Sequence, residues 1–215
     1  MMRIQRVISI LVLTLFTLNL YSQDKMDSCF YVTGENDTIR GTGFMDKNQV
    51  SFSFRAFQSN QLHVFTPEDI REIKFSDGRY FLSQTIINTK LIGGFFGKVD
   101  VYESKFNCFL EYLFDGEVDI LRLYDRGFNR YFIVKEGLPM KELVYEEKYY
   151  RKEGKTHSYI DHKFKGYLRI YMSDSPETWE LIDNLRTFNE KILLDLVESY
   201  HRNIAYDGEL TRYYH

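Results

Sequence analysis

Residues 109–134 read FLEYLFDGEVDILRLYDRGFNRYFIV, and this stretch decides the fold. Apolar residues fill three runs that are separated by Asp115-Gly116 and by Asp125-Arg126-Gly127. An Asp-Gly pair suits a tight hairpin turn because both residues tolerate positive φ. Strand-like runs joined by short turns predict consecutive antiparallel strands. The stretch therefore predicts a meander-like antiparallel sheet.

The same pattern of strands and turns extends upstream, so that residues 29–135 are predicted to be rich in β-structure. Residues 65–81, FTPEDIREIKFSDGRYF, crowd carboxylates, arginines and aromatic rings together, which raises the question of an active site. Asp77 and Gly78 again suit a tight turn, and Pro67 precedes the first strand-like run. We therefore interpret the stretch as a hairpin.

The C-terminal third changes from a period of two to helical spacing. Ser175 is a candidate N-cap, and Pro176 suits the first helical position. Asn189 can cap a second helix, whose apolar residues recur at i, i+3, i+4 and i+7. Residues 164–202 are therefore predicted to be mainly helical and to end in a helical hairpin. Together with the sheet, this predicts an α+β fold, an antiparallel meander-like β-sheet followed by a C-terminal helical hairpin.

Three other segments are less regular. Residues 166–172 alternate as a strand would but also fit a helix, which we favour. The charged stretch 145–163 is predicted to be a long exposed hairpin or loop. Residues 91–97 are apolar and contain three glycines, and we interpret them as a mobile loop that could contact a partner.

The first residues have the three-part layout of a secretory signal peptide. Arg3 and Arg6 precede an apolar stretch over residues 7–20, and a polar exit follows it. This stretch is shorter than the roughly 20 residues that span a bilayer. A single uncleaved anchor is the alternative. We expect residues 1–22 to be removed and residues 23–215 to form one domain in the periplasm, where it could associate with the outer membrane.

The charge balance argues against some classes of partner. The chain has 28 basic and 31 acidic residues, a net charge of −3. Loss of the signal peptide removes two arginines and no acid, so the remaining body is slightly more acidic. Such a body gives no electrostatic reason to expect nucleic acid or anionic lipid as a partner. No membrane-spanning segment is expected in the mature chain.

Cys29 and Cys108 are the only two cysteines. In an exported protein they permit one disulfide, which would stabilise the fold by a few kcal/mol if its geometry is suitable. The alternative is a pair of buried free thiols, because unpaired cysteine packs well in cores. The sequence leaves both alternatives open.

The sequence contains no pattern that predicts a catalytic, metal-binding or cofactor-binding residue. His157 and His162 are five residues apart, which places them neither on one helical face nor on one face of a strand. There is no nucleophile motif of the G-x-S-x-G type. Four carboxylates come nearest to forming a catalytic group, but their positions fit turns and strand exteriors instead: Glu68, Asp69, Glu111 and Asp115.

Several short phrases together resemble a known family. They are residues 37–41 (DTIRG), 50–55 (VSFSFR), 65–70 (FTPEDI), 76–81 (SDGRYF), 109–113 (FLEYL), 130–133 (RYFI) and 196–201 (LVESYH). In this order they are similar to an uncharacterised exported family of Bacteroidota, whose domain often precedes an outer-membrane β-barrel in longer members. The resemblance implies a location in the periplasm or at the inner side of the outer membrane. It implies no activity and no catalytic residue.

We therefore expect a non-enzymatic binding module of the cell envelope, with an envelope or outer-membrane protein as a candidate partner. The alternative is an envelope hydrolase that acts on glycan or lipid through carboxylates assembled by the fold. An enzyme of this kind needs a pocket in which two acids converge with perturbed pKa values. A binding module needs a shallow apolar face or an open sheet edge. A third alternative, a carrier of a small ligand, requires an enclosed apolar cavity between the sheet and the helices.

Overall fold

The computed structural model describes residues 25–93 and 99–213. The predicted signal peptide and residues 94–97 of the predicted apolar loop lie outside these ranges. Residues 91–93, which were predicted to belong to that loop, continue a strand instead.

Eleven strands form one antiparallel sheet, which confirms the predicted α+β class. In sheet order, ten of them are β10 (Lys141–Glu142), β9 (Phe128–Lys135), β8 (Val118–Asp125), β7 (Val99–Asp115), β6 (Tyr80–Gly93), β5 (Ile70–Phe75), β1 (Asp27–Thr33), β2 (Thr38–Met45), β3 (Phe52–Ala56) and β4 (His63–Phe65). The eleventh strand, β13 (Thr211–Arg212), pairs with β7. A separate hairpin of β11 (Glu146–Lys152) and β12 (Lys155–Asp161) fulfils the expectation for residues 145–163.

The sheet order differs from a simple meander at one point. β5 pairs with β1, so that Phe75 lies opposite Cys29, and β4 is left at the far edge. In a flat sheet β4 and β5 would be about 19 Å apart, four spacings of about 4.8 Å. The five residue steps from Phe65 to Ile70 reach at most about 17 Å. The sheet must therefore curl, and the ring of Phe65 indeed lies 5.1 Å from that of Tyr31.

The curled half encloses an aromatic core. Its buried members are Cys29, Tyr31, Phe52, Phe54, Ile70, Ile73, Phe75, Phe81 and Phe109. Gly41 of β2 lies against this core, and a Cβ atom there would be 2.1 Å from the carbonyl oxygen of Arg55. The close approach of β2 to β3 therefore requires glycine at position 41.

The sheet face that carries the aromatic core continues onto β7–β9, where three helices cover it. They are α1 (Lys163–Tyr171), α2 (Pro176–Asp183) and α3 (Glu190–Asn203). The side chain of Asn189 accepts a hydrogen bond from the Ile192 N–H, as predicted for a cap. Ser175 is at the N-cap position of α2, but its hydroxyl is 2.7 Å from the Thr178 hydroxyl and makes no capping bond to the backbone.

Strands β7–β9 are buried on both faces. On the helix side, α1–α3 pack against residues such as Val118, Ile120 and Ile133. On the opposite face, a second apolar cluster is formed by Ile86, Cys108, Leu110, Leu121, Leu123 and Phe132. This explains why apolar residues occupy adjacent positions in these strands, as in residues 131–134 (YFIV), rather than only alternate ones. Within the described ranges, no helix is long and apolar enough to cross a membrane.

Candidate functional site

An open cavity of about 400 Å³ lies at one end of the curled half of the sheet. The β2–β3 loop and strands β7 and β8 line it, and its most polar side chains are Lys47, Gln49, Arg79, Glu111 and Arg122. Its volume is within the range of small-ligand pockets. The cavity could support catalysis only if some of these polar side chains have no hydrogen-bond or ion-pair partner within the protein.

Gln49 stabilises the wall of the cavity through hydrogen bonds to two strands. Its backbone carbonyl accepts a hydrogen bond from the Phe109 N–H (2.8 Å), and its side-chain oxygen accepts one from the Tyr124 N–H. It is 4% exposed and has φ of 57°. Gln49 thus satisfies backbone donors of β7 and β8 that would otherwise lie unpaired, so its role here is structural.

Arg122 forms a buried ion-pair network with two carboxylates. Its Nε and Nη2 atoms both donate to Glu111 (3.1 and 2.6 Å), and Nη1 donates to Glu190 (2.9 Å). Glu111 is 5% exposed, so the interpretation of this residue as a strand exterior was wrong. Burial works against the charged form, but Glu111 and then Glu190 raise the pKa of Arg122 above its usual value. The network ties α3 to the sheet.

Arg79 at the cavity rim is also paired. It donates to Asp27 and to Asp77, in both cases at 2.8 Å, and its guanidinium lies 4.3 Å from the centre of the Phe75 ring. Arg79, Arg122 and Gln49 thus all have partners within the protein, and Lys47 lies 5.5 Å from the centre of the Tyr124 ring. Most of the polar lining of the cavity is therefore already satisfied. The cavity is therefore a poor candidate for catalysis.

The four carboxylates singled out in the sequence contact different groups. Asp69 accepts hydrogen bonds from both the N–H and the hydroxyl of Thr66, at 2.8 Å each, which lower the pKa of Asp69. Glu68 accepts a hydrogen bond from Asn107 (2.7 Å), and Glu111 binds Arg122. Asp115 ends β7. Asp69 and Glu68 thus serve the β4–β5 turn, as the hairpin interpretation of residues 65–81 expected.

Sequence reasoning missed Asp119, which is the acid with the most perturbed pKa. Burial and the nearby Asp115 together raise the pKa of Asp119 to about 6, although a hydrogen bond from the Gly116 N–H (3.0 Å) opposes them. The Tyr112 hydroxyl is 3.4 Å away. Asp119 closes the β7–β8 turn, and its position after Asp115-Gly116 was the only signal in the sequence.

We expect Asp119→Asn to stabilise the fold at neutral pH. Because the folded chain holds a proton on Asp119 up to about pH 6 whereas the unfolded chain releases it near 3.8, stability falls as pH rises through this window. Asparagine can still accept from Gly116 but has no charge to bury. Thermal unfolding should therefore show a higher Tm for the variant at pH 7.5 and nearly equal values at pH 4. A lower Tm of the variant at both pH values would contradict this explanation.

His201 is a buried structural residue. The Val118 N–H donates to its Nε2 (3.2 Å), and its Nδ1–H donates to the Val197 carbonyl (2.7 Å), so that both nitrogens are satisfied in the neutral ring. Burial lowers the pKa of His201. His201 lies in the last turn of α3, where a cation would suit the helix dipole, but its two hydrogen bonds require the neutral ring. His157 and His162 are exposed.

Cys29 and Cys108 are both buried free thiols, and the disulfide that the sequence permitted is not formed. They belong to clusters on opposite faces of the sheet, and strands β5 and β6 lie between them. Burial raises the pKa of each thiol to about 12. Throughout the described ranges, no group of three or more histidine, cysteine or acidic side chains is placed to hold a metal ion.

We expect neither cysteine to react with a thiol reagent in the native protein, because both are buried and protonated. In denaturant without reductant, two thiols per chain should react. Absorbance titration with an aromatic disulfide reagent measures both. Zero reactive thiols in denaturant would show that a disulfide forms after all.

The convex outer face of the curled half carries a row of aromatic and cationic side chains that crosses five strands and ends at Phe57, just beyond β3. We call it the aromatic–cationic row; its members, in sheet order, are Tyr112, Tyr80, Lys74, Phe30, Arg40 and Phe57. Lys74 lies opposite Tyr80 and Phe30, and Phe30 lies opposite Arg40. The rings of Tyr80 and Tyr112 stack at 4.9 Å, and the Phe57 N–H donates to the Arg40 carbonyl.

The cations of this face are free to bind a partner. Lys74, Arg40 and the adjacent Arg55 are exposed, and none of them has an ion-pair partner among the residues that the structure describes. Lys74 lies 5.5 Å from the centre of the Tyr80 ring and near enough to Glu72 for its charge to favour the ionised carboxylate. Phe57 is 67% exposed. Among the surfaces described above, this row has the largest number of cations without an ion pair in the described part of the chain, three against the single Lys47 of the cavity.

Comparisons with protein-family models, curated proteins and solved structures give no significant match for this chain.

Proposed function

We propose that this protein is an exported, non-enzymatic binding module of the cell envelope, and that the aromatic–cationic row is its binding surface. The observation that carries the proposal is the exposure of Arg40, Arg55, Lys74 and Phe57 on one face without ion-pair partners in the described part of the chain. Exposed aromatic rings and arginine are the groups that contribute most to binding energy in interfaces.

The predicted signal peptide and the family resemblance support the proposed location. Removal of residues 1–22 would release residues 23–215 into the periplasm, where an envelope component or an outer-membrane protein is the partner. The charged groups of the row would attract a partner of opposite charge, and salt would weaken the complex.

Cell fractionation tests this function. The tagged protein should sediment with the envelope fraction at low salt and leave it in a high-salt wash. The double variant Arg40→Gln/Arg55→Gln should be found mainly in the soluble periplasmic fraction. Arg126→Gln/Arg186→Gln is a matched control, because it removes two exposed arginines from other places. Recovery of the wild-type protein as a free periplasmic protein at low salt would overturn the proposal.

The hydrolase alternative has one observation in its favour, the perturbed pKa of Asp119 beside Asp115. A glycosidase also uses one acid with a raised pKa and one ionised carboxylate. Against this, Asp119 already accepts the Gly116 N–H and so serves the β7–β8 turn. Release of reducing sugar from envelope glycan by the wild-type protein, and its loss in Asp119→Asn, would favour the hydrolase. Equal yields from both would exclude Asp119 as its acid.

A further inference from the structure

The aromatic–cationic row has a regular spacing. Neighbouring strands in a sheet are about 4.8 Å apart, so residues two strands apart are separated by about 10 Å. Aromatic rings occur at this interval in Tyr80, Phe30 and Phe57, and the cations Lys74 and Arg40 alternate with them at the same interval. From Tyr112 to Phe57 the row spans five strand spacings, about 24 Å. Such a row suits an extended polymer lying across the strands.

The positive charges of the row favour an anionic polymer as the ligand. Three exposed cations have no ion-pair partner within the described ranges: Lys74, Arg40 and Arg55. Two acids contact members of the row: Asp119 lies 3.4 Å from the Tyr112 hydroxyl, and Glu72 accepts hydrogen bonds from Arg71 (2.8 Å) and from the Tyr80 hydroxyl. Glu72 is therefore held mainly by Arg71 and Tyr80 and only partly offsets the charge of Lys74, whereas Arg40 and Arg55 have no acidic partner within the described ranges.

An extended peptide does not fit this surface well. Peptides that bind sheets gain most of their affinity from backbone hydrogen bonds at a free edge. The row crosses strands β7, β6, β5, β1 and β2, whose backbone groups already pair with each other. A peptide on this face would therefore leave its own backbone groups without sheet partners.

A nucleic acid fits less well than a polysaccharide. Each strand of a duplex carries a phosphate about every 3.4 Å, much more densely than cations about 10 Å apart can match. The chain as a whole has a net charge of −3, which repels a dense polyanion. A polysaccharide with one carboxylate in each disaccharide unit has its charges at about the interval of the cations. The apolar faces of its sugar rings can stack on Phe30, Phe57 and Tyr80.

We propose that the aromatic–cationic row binds an acidic polysaccharide that carries one carboxylate per disaccharide unit. This inference rests on the proposed binding function and names its ligand class. The carboxylates pair with Lys74, Arg40 and Arg55, and the sugar rings between them stack on the aromatic members of the row.

Calorimetric titration of the mature protein tests the ligand class, with a hyaluronan oligosaccharide as the probe because it alternates a uronic acid with a neutral sugar. A neutral chitin oligosaccharide of the same length and oligothymidylate are the comparison ligands. We expect hyaluronan to bind, and both comparison ligands to bind at least about tenfold more weakly. Arg40→Gln/Arg55→Gln should weaken hyaluronan binding about tenfold, and Phe57→Ala about fivefold. Arg126→Gln/Arg186→Gln should leave it unchanged.

Three results would overturn the inference: no binding of hyaluronan, equal binding of the neutral oligosaccharide, or tighter binding of oligothymidylate. Thermal unfolding of each variant shows whether a loss of binding comes from a loss of folded protein. The fractionation experiment separates this inference from the proposed function. If Arg40→Gln/Arg55→Gln still releases the protein from the envelope but hyaluronan does not bind, the function stands and the polysaccharide assignment falls.

Discussion

Replacing Arg122 with methionine is expected to lower the free energy of unfolding by about 3–5 kcal/mol. Arg122 is the cation that neutralises Glu111, a carboxylate of which only 5% is exposed. Without the guanidinium, Glu111 would be left as an unpaired buried charge. The bond from Arg122 to Glu190 at the start of α3 would be lost as well. Urea denaturation monitored by circular dichroism measures the change.

The double variant Glu111→Gln/Arg122→Met is the informative control. It removes both charges together, so that no unpaired ion is buried, and its stability should return to within about 1–2 kcal/mol of the wild type. If the double variant were as unstable as Arg122→Met alone, the damage would come from lost packing, and the ion pair would not explain it.

The second large effect is expected at His201. His201→Ala should destabilise the fold by about 3–4 kcal/mol, because it leaves a cavity and an unpaired Val118 N–H. The imidazole also stacks on Phe114, with ring centres 5.1 Å apart. His162→Ala is the matched control, since that histidine is exposed, and it should change stability by less than about 0.5 kcal/mol. Equal losses in the two variants would contradict the structural role of His201.

His201 also makes stability depend on pH. Burial lowers its pKa, so the unfolded chain takes up a proton as the pH falls below the usual histidine value of 6.5 while the folded chain does not. The contribution of His201 is therefore fully present above pH 6.5 and is lost progressively below it. The free energy of unfolding of the wild type should fall from pH 7.5 to pH 5.5 more steeply than that of His201→Gln. Parallel curves would show that His201 titrates normally in the fold.

Local features of the fold could be predicted from the sequence. The turns at Asp77-Gly78 and Asp115-Gly116 lie where the sequence predicts them, and Gly78 has a positive φ of 98°. Asp115 and Gly116 do not have positive φ, and the Gly116 N–H donates to Asp119 instead. The cap at Asn189 follows from its side-chain acceptor. The pairing of β5 with β1 could not be predicted, because it depends on the curl of the whole sheet. Glu111 was misjudged for a similar reason: its burial depends on Arg122, which lies on a neighbouring strand.

The candidate site was the least predictable feature. Residues of the aromatic–cationic row come from six separate segments, and only the register between strands brings them onto one face. No segment on its own has an unusual charge or aromatic pattern. Sheet packing accounts for aromatic residues such as Tyr31 and Phe54, which pack inside the curl, but not for Phe57, which is 67% exposed.

Site-specific photocrosslinking in living cells tests the central claim most directly. A photoreactive phenylalanine analogue is placed at Phe57, in the row, or at Phe128, which is 76% exposed at the start of β9. If the row is the binding surface, light should produce a higher-mass adduct from position 57 and none from position 128. No adduct from position 57, or the same adduct from both positions, would contradict the claim that this face binds an envelope component.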